Sequence, residues 1–158
     1  MRVLLAGPDF EENLSLRYLA SALVAAGHEA LLVPFNDAED ITRVVLLARD
    51  FDLIGLSLTF QVRAREFLSL AAALKADRPT PIVVGGHFAS CAADDLLLAC
   101  GAMDVIVLHE GEASLCAIAD RDGDPARLAD VRLLHIRSCG PRIFERCRPP
   151  RRGVTAAA

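Results

Sequence analysis

Five short apolar runs, each followed by a segment with helical spacing, constrain this chain more than any other feature. The runs are Arg2–Ala6 (RVLLA), Ala30–Val33, Leu53–Leu58 (LIGLSL), Ile82–Val84 and Val105–Leu108. They are continuous rather than alternating. Strands of that kind are buried on both faces, as in a parallel sheet covered by helices. The intervening segments supply those helices. Leu14, Leu16, Leu19, Leu23 and Ala26 recur at helical spacing before Gly27, a natural C-cap. Ile41–Phe51, Arg63–Lys75, Ala92–Cys100 and Glu112–Ala119 follow, with Phe67, Leu68, Ala71 and Leu74 on one face of the third helix. The expected fold is α/β: an open, doubly wound, flavodoxin-like sheet of five parallel strands in the order 2-1-3-4-5.

The chain has 158 residues, enough for one domain with a real core. With 53% hydrophobic residues, the bulk of it is not disordered. Apolar stretches are broken by charge or proline too soon for a membrane helix. The start, MRVLLAGPDFEEN, is a poor signal peptide, so a cytoplasmic location is expected. After Asp120 the pattern changes. Domain organisation is expected as an α/β body over residues 1–130, a β-hairpin over 131–147 with arms Val131–Arg137 and Arg142–Arg146, and a disordered tail over 148–158.

Charge and cysteines exclude several functions. The net charge is −4, but the segment Arg137–Arg152 is +5, which leaves −9 on the rest. An acidic body does not suit nucleic acid, and the basic end is expected to be a solvated tail or a linker. Cys91, Cys100, Cys116, Cys139 and Cys147 form no CxxC pair and no CxxxCxxC triplet. They are expected to be reduced thiols, with no zinc, disulfide framework or iron–sulfur cluster in this chain.

In such folds ligands bind beyond the carboxyl ends of the strands. The loop after strand 1 reads GPDFEEN, without a GxGxxG or a Walker lysine, so phosphate cradles are excluded. A phosphate-accepting receiver needs an aspartate after strand 3 and a lysine after strand 5; Ser57 and His109 stand there instead. Ser57 and Thr59 offer small hydroxyls, either to a ligand or as caps of the next helix. Gly85 and Gly86 allow close backbone approach or form a plain turn. Glu110 and Glu112 flank Gly111 in the turn HEGE and suit either a ligand or a helix N-terminus.

Four stretches in order, VLLAGPDFEENL with RYLA and AGHE, DLIGLSLTFQ, PIVVGGHFAS and DVIVLHEGEASL, resemble the cobalamin (vitamin B12)-binding domain of cobalamin-dependent radical S-adenosylmethionine enzymes. The resemblance covers about residues 1–150 and leaves out the radical barrel. It implies that the nucleotide tail of cobalamin, a cobalt corrinoid, enters a pocket lined by Ser57 and Thr59 and passes Gly85 and Gly86. It places the loop Pro8–Leu14, with Pro8, Asn13 and Leu14, under the corrin face. Phe60, His87, Phe88, Glu110 and Gly111 would border ring or tail. The DxHxxG of the methionine synthase branch, whose histidine ligates cobalt from below, has no counterpart in GPDFEEN. The implied state is base-off, with no protein metal ligand. HEGE also departs from the family's GEGE at His109. Of the histidines, His28 and His135 are expected at the surface, and His87 as a pocket wall.

The implied function is a cobalamin-binding module for a methyl-transfer or radical S-adenosylmethionine domain not present in this chain. Its partner would be that domain or a separate protein, with no role for nucleic acid or membrane. The alternative is a cofactor-free regulatory or interaction domain of the same fold. A small enzyme using Asp9, Glu110 and His87 or His109 is a third reading.

Overall fold

The structure is a computed structural model and describes residues 1–9, 13–131 and 134–136. Its strands are β1 (Arg2–Gly7), β2 (Glu29–Pro34), β3 (Leu53–Ser57), β4 (Ile82–Gly85), β5 (Val105–Val107) and β6 (Leu134–Ile136). Its helices are α1 (Leu14–Ala25), α2 (Ile41–Ala48), α3 (Ala64–Asp77), α4 (His87–Cys91), α5 (Ala93–Ala99) and α6 (Glu112–Ala119). The sheet runs β2-β1-β3-β4-β5-β6. The first five strands are parallel, in the order the apolar runs predict.

Because strand side chains alternate, each strand feeds two cores. Leu4, Ala6, Ile54, Leu56, Ile82, Val84 and Ile106 face α2, α3 and α5. Val3, Leu5, Leu53, Val83, Val105 and Val107 face α1 and α6. All five residues of β3 are buried, which explains its unbroken apolar run. The helix ends are closed locally. Asn13 Oδ1 accepts from the Leu16 amide at 3.2 Å and caps α1. At the other end Gly27, at φ +86°, lets the His28 amide return to the Leu23 carbonyl at 2.9 Å.

Two expectations are corrected, and the expected hairpin lies partly outside the described residues. The first arm of the predicted hairpin is β6, which pairs antiparallel with β5 as a sixth strand. The second arm, the tail from Arg148 and the side chain of His135 lie outside the described residues. His28 is not a surface group: its side chain is only 9% exposed and its Nε2 lies 3.1 Å from Asp120 Oδ1. That contact ties the end of α1 to the end of α6. Finally, the loop expected after β4 is the short helix α4, which breaks at Ala92 before α5 begins.

Candidate functional site

A cavity of about 490 Å³ opens at the carboxyl edge of the sheet, between the sheet, α1 and α6. Small-molecule sites occupy roughly 300–1,000 Å³, so this space can hold a sizeable organic group. Its inner wall is apolar: Leu5, Leu16, Leu19, Val83, Val107 and Leu115. Its polar lining is the buried Ser57 and, toward the mouth, Thr59, His87, Ser90, His109 and Glu110. The arrangement offers apolar surface inside and hydrogen-bonding groups nearer the opening.

Glycines shape the wall in different ways. Gly55 sits between Leu5 and Val83 in register, and the Leu5 side chain lies where a Cβ on it would stand; Gly85 sits beside Ser57. A Cβ on Gly85 would meet only the Val107 carbonyl and Cβ, at 3.9 and 4.0 Å. A side chain there would fit and would point into the cavity, so the glycine keeps the cavity open. Gly86 differs. It has φ +109°, and its Cβ would stand 2.7 Å from the Leu58 carbonyl oxygen. That glycine is required by the backbone, because it turns the chain from β4 into α4. The two neighbours therefore have different jobs.

The turn after β4 is joined to its neighbours by backbone. The Leu58 amide donates to the Gly85 carbonyl at 2.8 Å, and the Phe88 amide to the Thr59 carbonyl at 3.2 Å. Ser90 Oγ donates to the Gly86 carbonyl at 3.0 Å and accepts from the His109 amide at 2.8 Å. One hydroxyl thus couples the loops after β4 and β5. His109 itself has φ +60°, a left-handed conformation that a residue with a side chain rarely adopts. On α6, burial pushes the Cys116 thiol up from its ordinary value, with the Asp120 and Glu112 carboxylates adding to the shift.

Of the residues singled out in the sequence, Ser57, Thr59, Gly85, Gly86, His87, Glu110 and Gly111 line the cavity. Neither hydroxyl caps a helix: the turn Gln61–Arg63 starts from Phe60 and α3 from Arg63, both without a side-chain cap. The other five lie outside the lining. Pro8 and Asn13 hold each other through Asn13 Nδ2 donating to the Pro8 carbonyl at 3.0 Å. Leu14 and Phe60 are 53% and 61% exposed at the same edge of the sheet. Phe88 packs against the core on the opposite face. Asp9 also lies outside the lining; its amide donates to Asn36 Oδ1 at 2.8 Å. Among the described residues no group of three or more His, Cys, Asp or Glu could hold a metal ion.

Sequence reasoning missed Tyr18, Gly55 and Ser90. A glycine inside the apolar run LIGLSL is a signal of close approach. Tyr18 is an aromatic off the Leu16–Leu19–Leu23 stripe of α1. Ser90 carries no sequence signal, because its role depends on where β5 ends.

The parallel sheet with a ligand-sized cavity at its carboxyl edge defines an α/β binding domain. The family model "B12 binding domain" matches residues 3–119, and the chain belongs to that family. Among solved structures it is similar to the radical S-adenosylmethionine methyltransferase TsrM from Kitasatospora setae, with a TM-score of 0.70 and 20% identity. The match covers 84% of this chain and 28% of that one, so the chain spans a little over a quarter of the enzyme. The same figures hold for TsrM with cobalamin and a [4Fe-4S] cluster bound. The CheY-like protein TadZ from Pseudomonas aeruginosa PAO1 shares the fold at a TM-score of 0.55 and 18% identity, over 78% of this chain and 94% of that one. No curated protein matches the sequence.

Proposed function

We propose that the chain is a cobalamin-binding module that takes the cofactor base-off, with the nucleotide base in the cavity and no protein histidine beneath the cobalt. The cavity beside Gly85 is the observation that carries this reading. Its apolar inner wall suits a flat aromatic base, and its polar mouth suits ribose and phosphate. The residues present therefore fit the group. Leu5, Leu16, Leu19, Val83, Val107 and Leu115 would exclude water from the base, and Ser57 and Thr59 would meet polar atoms. Leu14, Tyr18, Phe60 and Val62 are exposed apolar side chains on α1 and the loop after β3. They would lie under the corrin ring. Bound cobalamin would supply a cobalt centre able to carry a methyl group to a catalytic domain, of the radical S-adenosylmethionine type by analogy with TsrM.

The test is to mix the purified chain with hydroxocobalamin, remove free cofactor and record the visible spectrum. Retention at tens of micromolar is expected, with a spectrum that shows no histidine on cobalt. Gly85→Val should abolish retention while the protein stays folded, and His87→Ala should only weaken it. No retention by the unaltered chain would leave the cofactor-free interaction domain as the better reading. A histidine-ligated spectrum would overturn the open lower face.

A further inference from the structure

We propose that His109 reads the anionic connector of the ligand's nucleotide, and so selects complete cobalamin over corrinoids that lack the nucleotide. This rests on the cobalamin reading. Three observations converge on the residue. Its backbone is left-handed at φ +60°, a conformation better suited to glycine, and yet a histidine stands there. Its amide is fixed by Ser90 Oγ at 2.8 Å, and Ser90 is in turn fixed to the Gly86 carbonyl, so the position is held from the neighbouring loop. It lines the mouth of the cavity, where the apolar wall gives way to polar groups. Sparsely populated backbone that the surroundings enforce is a mark of functional sites.

Charge says what the imidazole would do. The titratable groups lining the cavity are Tyr18 on α1, His87 and Cys91 on α4, His109 and Glu110 between β5 and α6, and Glu112 at the start of α6. The two carboxylates oppose any anion entering beside them. A ligand whose apolar base occupies the inner wall must bring its phosphodiester past that mouth. Ser57 and Thr59 offer hydroxyl donors and His87 and His109 offer imidazoles; His109 is the one beside the acids in sequence, where an anion most needs a partner. Hydrogen bonds to a charged group are the stronger kind, so the residue can set specificity.

The test uses residues that tolerate the left-handed backbone, so that folding is preserved. The unaltered chain, His109→Asn, His109→Gly and His109→Asp are each titrated to saturation with hydroxocobalamin and with aquocobinamide, the same ring without base, ribose and phosphate. For hydroxocobalamin, affinity should fall about threefold, tenfold and thirtyfold in that order, following loss of the imidazole, loss of any donor and gain of a negative charge. For cobinamide all four proteins should agree within about twofold. The thermal midpoint of His109→Gly should match or exceed that of the unaltered chain. Equal losses for the two corrinoids, or none for hydroxocobalamin, would overturn the role of His109 and leave the module reading intact. Failure of the unaltered chain to hold either corrinoid would overturn both.

Discussion

On one face of the sheet, beneath α2 and α3, Phe35 and Phe67 meet edge to face with centroids 4.9 Å apart, and the Arg63 guanidinium lies over both rings. On the other face, between α1 and α6, no phenylalanine is buried among the described residues, and Gly85 stands where a side chain would fill the space. The first face is solid and the second is hollow toward the carboxyl edge. The hollow side still holds α1 and α6 through its own buried cluster, which includes Leu16, Leu23, Leu115 and Ile118. It keeps an open volume at the cost of the contacts its lining loses. The His28–Asp120 contact closes the far end of the hollow side, where α1 and α6 come together.

The largest expected effect lies on the filled face. Phe67→Ala should cost about 3–5 kcal/mol in urea unfolding, because nothing near it can collapse into the space. Leu115→Ala on the hollow face should cost about 2 kcal/mol, since its neighbours already border open volume. Equal costs would mean that the cavity wall is packed as tightly as the core, which would break the contrast. Within the hollow face, the two glycines should separate. Gly86→Val should destabilise by about 3 kcal/mol, the sum of strain at positive φ and a clash with the Leu58 backbone. Gly85→Val should change stability by less than about 1 kcal/mol while filling the cavity. Thermal melts of the pair would show whether the second glycine is structural and the first functional. The smallest effect is electrostatic and lies away from both cores. Asp40 is held below its ordinary value of 3.8, first by Arg43 and then by the Asn36 amide. Its folded value is depressed, so its contribution is present above the unfolded value and fades as pH falls through the folded one. Asp40→Asn should cost about 0.5 kcal/mol at pH 7, a difference that vanishes under acid conditions.

Much of the fold was legible because its signals are local. RVLLA and LIGLSL are buried on both sides and read as such without any knowledge of their neighbours. Gly27 reads as a cap because the helix before it ends in its own sequence. The site was legible in part. Ser57, Gly85 and Gly111 fall at strand ends, where topology alone directs attention. Phe88, expected to border the ligand, packs instead against the opposite core, because the short helix α4 turns it there. Asn13 proved to be a cap, since Asn at that position satisfies an amide of the first turn. Ser90 was invisible, because its partners Gly86 and His109 belong to two different loops.

The sequence by itself determined the alternation of strands and helices, the order of the sheet and the edge at which a ligand would enter. Each follows from periodicity and from the right-handed crossing of parallel strands. Only the tertiary structure decided which glycine opens the cavity and which one turns the chain. It also decided that His109 is held left-handed at the mouth, and that His28 is enclosed. The reason is physical. A side chain's surroundings are set by register and backbone dihedrals between segments distant in sequence, and two adjacent glycines look alike until their neighbours across the sheet are in place.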